Sequence, residues 1–329
     1  MKIRMPETYY RVKKYLKHYN EISALYEEQR LKNAGRKVQY WNWWEDERNA
    51  YWLEKFMESR GLLKGTNKTI ALCSVFGERE VLERISADVK IFFSGENLHH
   101  KRNAAYADYM LSGKKPFDFA MGFDEFKEDN YLRFPLWLVF LFEPNATEED
   151  IRKRCEELNH PKVSDKARFC SLVARADWFG IRKQIYDGMS MIGKVDCPSE
   201  FMHNDDRLKE EFGDDKRAYL QQYRFNICPE NTMAYGYVTE KLYEAIASAC
   251  VPVYWGGKEW DIVNPGAVLY WKKDEGNKEL LQKVQELNAD EKKYREFAEQ
   301  PRLMPNAAEY VIAQFDAIEQ RLRKVIDDR

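Results

Sequence analysis

An α/β fold built in two halves is predicted from three features of the sequence. Short apolar runs that stop at glycine recur with helical stretches between some of them, the grammar of a parallel sheet with crossover helices. The pattern occurs twice, on either side of a polar stretch over residues 143–165 that carries two prolines and many charges and is the best linker candidate. Residues 223–257 (YRFNICPENTMAYGYVTEKLYEAIASACVPVYWGG) then read as one strand–loop–helix–strand unit. At roughly 150 residues per domain, 329 residues make about two domains. We expect one over 1–155 and one over 156–304, with a last helix over 305–329 packing back on the first.

The elements follow in order. Residues 7–32 place Val12, Tyr15, Leu16, Tyr19, Ile22 and Tyr26 at three- and four-residue steps, a helical stripe. The opposite face is basic early and acidic late, which fits a solvated face on a packing helix better than a membrane-surface face. Strands are expected at 69–75 (TIALCSV), Val89–Phe93 (VKIFF) and 117–121 (FDFAM), each stopped shortly afterwards by a glycine. In the second half, 168–173, 223–228 and 251–255 read as strands, and 181–191 and 240–250 as helices. Residues 307–325 form a last helix with Tyr310, Ile312, Phe315, Ile318 and Leu322 on one stripe.

Composition excludes several classes. Lys and Arg total 53 and Asp and Glu 55, so the net charge is −2. That balance argues against a protein that covers nucleic-acid phosphates over a wide area. Aromatics reach 14%, which argues against disorder and for a packed core with aromatic-lined clefts. The six cysteines form no C-x-x-C pair and none sits beside a His at metal-ligand spacing, as scattered reduced thiols of a cytosolic protein would not. Residues 1–20 are basic without an apolar run, so no signal peptide is expected. The longest apolar run is nine residues, 134–142, and contains a proline; a bilayer span needs about 20. At most peripheral contact with a membrane is expected. There is no internal repeat.

Chemistry concentrates in 223–257. A strand breaks at Pro229, which cannot continue a ladder. Gly236 permits a tight turn. A helix starts near Thr239 and buries Leu242, Ala245, Ile246 and Ala249. In open α/β sheets ligands bind outside the carboxyl ends of the strands, so this helix begins at the ligand edge. Its N-terminus favours an anion, and Lys241 in the first turn adds a point charge suited to phosphate. Glu240 beside it suits sugar hydroxyls. Together they fit a nucleotide sugar; in isolation they also fit an ordinary Glu–Lys helix start.

The block Glu230-Asn231, Tyr235-Gly236-Tyr237-Val238-Thr239-Glu240-Lys241 and Val251-Pro252-Val253-Tyr254-Trp255-Gly256 closely resembles the signature of the bacterial α-1,3-fucosyltransferases. The departure is Pro229, where many members have Phe. Phe92-Phe93-Ser94-Gly95-Glu96-Asn97, residues 117–124 and 131–136, and Lys166 onward with Ile181-Arg182-Lys183 resemble further blocks of that family. Similarity covers roughly residues 85–265. It implies a GT-B architecture, two Rossmann-like domains facing across a cleft, the second binding GDP-fucose and the first the acceptor.

The resemblance implies transfer of L-fucose from GDP-β-L-fucose to the 3-hydroxyl of GlcNAc or Glc in lactosamine- or lactose-type glycans, with inversion, giving products of the Lewis-antigen type. Glu96 is then the general base. Arg182 and Lys241 take the diphosphate, where fixed cations stabilise the departing charge. Asn231 and Tyr237 are donor contacts, and Glu240 binds ribose or stabilises charge near the fucose ring. His99 and Trp44 are weaker acceptor-side candidates; for His99 a loop histidine near solvent is the alternative, and for Trp44, within a cluster of Trp41, Trp43, Trp44 and Trp52, core packing is the alternative. No D-x-D triplet occurs, so no bound metal and no cofactor is expected, GDP-fucose being a co-substrate. Expected partners are GDP-fucose and an oligosaccharide, not nucleic acid, in the cytoplasm or at the inner-membrane surface. The rival readings are a GT-B enzyme with another nucleotide sugar, and a non-catalytic glycan- or nucleotide-binding module.

Overall fold

The computed structural model describes residues 7–44, 49–110, 117–161, 163 and 166–328. It is an α/β protein with two five-stranded parallel sheets, the class expected from the sequence. The chain divides into two compact units. One comprises residues 1–122, 126–133 and 318–329, and the other 123–125 and 134–317.

The first sheet contains β1 (Val38–Trp41), β2 (Ile70–Cys73), β3 (Val89–Phe93), β4 (Phe119–Gly122) and β5 (Tyr131–Arg133), side by side in chain order. β2 and β4 are buried throughout, which is why they read as continuous apolar runs instead of alternating ones. Ile91 of β3 pairs with Phe119 and Phe93 with Met121, all fully buried. β1 and β5 mix buried with half-buried positions (VQYW and YLR), so no continuous apolar run marks them.

The helix Glu7–Lys32 forms where expected, but of its stripe only the C-terminal residues pack. Ile22 is buried, and Tyr26 stacks on Trp41 at 5.4 Å. Tyr15 is 67% exposed, and Leu16 and Tyr19 are also exposed. The Val12 side chain lies outside the described residues. Periodicity identifies a helix face, but cannot say whether a partner reaches all of it.

The second sheet contains β6 (Arg168–Ser171), β7 (Val195–Asp196), β8 (Tyr223–Ile227), β9 (Val251–Tyr254) and β10 (Leu269–Tyr270), in the order β10-β9-β8-β6-β7. From β6 the chain pairs β7 on one side and then crosses to β8 on the other, so the direction of winding reverses between β6 and β8. Such a reversal opens a crevice at the carboxyl ends of the two strands. Ser171 pairs with Asn226 across it.

Two helices differ in detail from the expectation. The helix after β8 is Glu240–Ala247. It ends early because Ala249 takes a left-handed φ of 57°. Ala249 therefore leaves the buried face, while Leu242, Tyr243, Ala245 and Ile246 form it. In the last helix, Ala307–Asp327, the buried line is Val311, Phe315, Ile318, Leu322 and Ile326; it runs through Val311 and not Ile312. The polar stretch over 143–165 is not merely a connection. It carries the helix Glu148–Asn159, opened by a capping box in which Thr147 and Asp150 satisfy each other's backbone N–H.

Candidate active site

The donor-type residues sit on the two segments that leave the switch point. After β6, the helix Ile181–Ser190 starts behind Gly180 and presents Arg182 in its first turn. After β8, Cys228 to Lys241 form the loop and the next helix start. One Arg182 nitrogen (Nη2) donates to Asn231 Oδ1 at 2.8 Å, and another (Nη1) donates to the Ala176 carbonyl. Arg182 is buried, which presses its proton affinity down while Asp177 and Glu230 pull it back up; a guanidinium stays charged under such a load.

Gly236 turns the loop with φ 73°. A Cβ there would come within 3.0 Å of the Phe123 carbonyl oxygen, so both the torsion and the space call for glycine. Gly236 N donates to Glu259 Oε2 at 2.9 Å, fixing the turn. Tyr237 follows, buried, with its ring edge-on to Phe123 at 5.1 Å.

At the helix start, Lys241 Nζ lies 2.9 Å from Thr239 Oγ1, 3.1 Å from Glu240 Oε1 and 3.5 Å from Glu230 Oε2. Lys241 and Glu240 are 19% and 18% exposed, whereas Glu230 is completely buried. Burial opposes the Lys241 charge, but Glu240 and Glu230 outweigh it and hold the ammonium above its ordinary value. Burial likewise opposes the Glu240 charge, and Lys241 and Lys216 outweigh it, leaving that carboxyl below its usual range. Glu230 differs: burial dominates and pushes its carboxyl up, only partly offset by Lys241. Its neighbourhood also requires Gly256, where a Cβ would lie 2.7 Å from Glu230 Cγ and 2.3 Å from the Tyr254 hydroxyl.

Glu96, His99 and Trp44 belong to the first unit. Glu96 follows β3 in a turn closed by Ser94, whose Oγ accepts from Glu96 N at 3.1 Å and donates to the Glu96 carbonyl at 3.2 Å. His99 N donates to Asn97 Oδ1 at 2.9 Å, and the His99 side chain is exposed. Trp44 stacks on Trp43 at 4.5 Å and tilts against Phe93 at 5.6 Å, the residue that ends β3. Trp41 and Trp52 are buried in the core, so the tryptophan cluster splits into two packing residues and two at the carboxyl edge of the sheet. Sequence reasoning thus gathers two groups of residues, and missed Glu230 as a member of the second. The carboxylate lies inside the matched block, but its burial is set by Tyr254 and Gly256 on the next strand and loop.

Residues 38–140 match the alpha-(1,3)-fucosyltransferase FucT N-terminal domain, and residues 162–308 match the glycosyltransferase family 10 (fucosyltransferase) C-terminal domain. The chain belongs to the family 10 fucosyltransferases. Glu96 falls in the first match and all five donor-type residues fall in the second. Within the family, the chain is 30% identical over 261 residues to the alpha-(1,3)-fucosyltransferase FucT of Helicobacter pylori, covering 67% of this chain and 50% of that one. It therefore spans half the length of that relative. Among solved structures, an alpha1,3-fucosyltransferase superposes with a TM-score of 0.55 at 22% identity, over 86% of this chain and 89% of that one. An alpha1,3-fucosyltransferase with GDP-fucose superposes at 0.50 and 21%, over 85% and 89%. At these identities the superpositions establish the shared fold.

Among the described residues, no three His, Cys, Asp or Glu side chains gather as metal ligands would. No described helix is long and apolar enough to cross a membrane. All six cysteines are buried free thiols.

Proposed function

We propose that this protein is an inverting α-1,3-fucosyltransferase that moves L-fucose from GDP-β-L-fucose to the 3-hydroxyl of GlcNAc or Glc in lactosamine- or lactose-type glycans. The observation that carries the reading is the Arg182–Asn231 and Glu230–Thr239–Lys241 cluster at the switch point of a family 10 chain. The names of the Helicobacter relative and of the GDP-fucose complex support the linkage and the donor.

In this reading Arg182 and Lys241 meet the diphosphate, and their fixed charges stabilise the leaving GDP as the glycosidic bond breaks. Glu240, held as an anion, faces the positive charge that builds on the sugar or accepts from a ribose hydroxyl. Asn231 orients Arg182, and Tyr237 closes the donor loop. Glu96 takes the proton from the attacking hydroxyl, with His99 and Trp44 on the acceptor side. A diphosphate is already a good leaving group, so no strong acid is required opposite Glu96. Two protein cations supply the charge a metal would otherwise bring, so activity is expected to survive EDTA. The buried thiols suit a reducing compartment, so we place the reaction in the cytoplasm, with at most peripheral contact with the inner membrane.

The test is to incubate the purified protein with N-acetyllactosamine and GDP-fucose, GDP-mannose or UDP-galactose, and to identify product by mass. Fucose transfer is expected with GDP-fucose alone. Glu96→Gln should lower kcat by about 10²–10⁴-fold while the Kd for GDP stays put. Transfer from another donor supports the rival enzyme reading, and GDP binding without turnover in the wild type supports a binding module.

A further inference from the structure

Glu230 is a completely buried charged group beside the donor-type residues, and no step of the proposed reaction uses it. Glutamate is almost never fully buried unless its charge is met. Here the carboxylate is completely buried and accepts twice from one residue. Thr239 N donates to Oε1 at 2.7 Å, and the Thr239 hydroxyl donates to Oε2 at 2.7 Å. Tyr254 OH approaches Oε1 at 3.4 Å, and Lys241 Nζ lies 3.5 Å from Oε2. The backbone of Glu230 is pinned as well, its N–H donating to the Trp255 carbonyl at 2.8 Å.

Thr239 occupies the position at which a threonine usually caps its own helix. It makes no such bond to the helix Glu240–Ala247, because its hydroxyl is turned to Glu230. The carboxylate, on the loop after the preceding strand, thus ties down the residue that opens the helix through both its N–H and its hydroxyl. The same carboxylate stands beside Lys241, whose side chain also bonds the Thr239 oxygen. Thr239, the helix start and the ammonium are therefore held through one side chain.

We propose that Glu230 is a positioning residue of the donor site: its buried carboxylate clamps Thr239 and the start of the helix so that Lys241 is held where an incoming pyrophosphate must meet it. This rests on the donor-site reading above. It adds a requirement of its own, that the affinity for the diphosphate depends on a residue that never touches it.

The two requirements fail in different ways. GDP and inorganic pyrophosphate are titrated into the wild type, Glu230→Gln and Glu230→Ala by calorimetry, with hydrogen exchange of the Thr239, Glu240 and Lys241 amides followed in each free protein. Glu230→Gln keeps the shape, can accept from Thr239 N and can pair with the Thr239 oxygen, so exchange and affinity should stay within a few-fold of the wild type. Glu230→Ala should speed exchange of those three amides and weaken GDP by at least about tenfold, equivalent to about 1.4 kcal/mol, with pyrophosphate weakened in parallel. Affinity unchanged in Glu230→Ala overturns the proposal and leaves the donor reading standing. Affinity lost equally in both variants overturns it too, since the frame would then not be what matters. A wild type that binds neither probe overturns the donor reading and the proposal with it, even if exchange at Thr239 responds. If Glu230→Ala does not fold, Thr239→Val, which removes one of the clamped groups, takes its place with the same expected direction.

Discussion

The two sheets have the same number of strands and the same parallel pairing, yet they present their functional residues differently. In the first, β1 to β5 lie in chain order, and the acidic residue follows the central strand in a segment over 94–96 that Ser94 closes on itself. In the second, the order reverses between β6 and β8, and the candidate residues come from both strands that flank the reversal. The first turn combines that local closure with a bond from Ser94 N to the Met121 carbonyl of the neighbouring strand. A site assembled from two crossover segments needs cross-links, and the second unit has them in Arg182 to Asn231 and in Glu230 to Thr239. The general rule about switch points accounts for the second site; it does not account for the first, which depends on its local turn.

The sharpest way to break that comparison is to damage each side and ask which quantity moves. Lys241→Ala should weaken GDP by about 10- to 100-fold, in the range of a lost charged hydrogen bond, without changing the pH profile of the chemical step. It should also lower the melting temperature, because Glu230 and Glu240 lose their shared counter-ion. Arg182→Lys keeps the charge but loses the planar fork that reaches Asn231 and Ala176, and should weaken GDP less than Arg182→Ala. Calorimetric titration of GDP checks both. If either substitution leaves GDP affinity intact and slows turnover only, the division of labour between the two units is wrong.

Trp44→Ala sharpens the other side with a smaller effect. Its ring is half-buried on Trp43 and Phe93, and an offset ring contact contributes about 0.5–1.5 kcal/mol. The KM for N-acetyllactosamine should rise about two- to tenfold by the same measure, with the Kd for GDP unchanged, and Trp44→Phe should restore most of it. An acceptor KM that does not move assigns Trp44 to packing, as Trp41 and Trp52 already are.

How legible this was depends on length scale. Val89–Phe93 and the helix Glu7–Lys32 are read to the residue because each carries enough consecutive pattern. β7 and β10 have two residues each and no pattern to read. The helix Glu148–Asn159 was masked by charge: it buries only Ile151, Cys155 and Leu158, so its polar composition resembles a connection. Thr147 and Asp150 do carry a capping signal for it, three residues apart. At the candidate site, residue types and spacing point to Glu240 and Lys241, whereas the role of Glu230 arises from Tyr254, Thr239 and Gly256, which only folding brings around it.

The smallest expected effect tests that last point through stability, independently of any ligand. Burial raises the Glu230 carboxyl, and the charged groups around it are Lys241 and Glu240 on the adjoining helix and Arg182, with the Tyr254 hydroxyl on β9. A group whose folded pKa is raised contributes stability that is present below its unfolded value and is lost as pH rises through the folded one. The wild type should therefore lose stability relative to Glu230→Gln as pH rises from about 5 to 8, starting near the unfolded carboxyl value. Lys241, held above its ordinary value, stays charged throughout this window, so the partner it loses in Glu230→Gln shifts the comparison by a constant and leaves the slope to Glu230. The measurement is the difference in melting temperature between the two proteins at each pH. A loss across the window of more than about 2 °C, roughly 1 kcal/mol for a domain of 150–250 residues, supports a buried carboxyl whose ionisation is opposed by burial. A difference that stays flat would mean that Glu230 titrates like a solvated carboxylate, and the contrast between a self-closed turn and a cross-linked site would lose its electrostatic half.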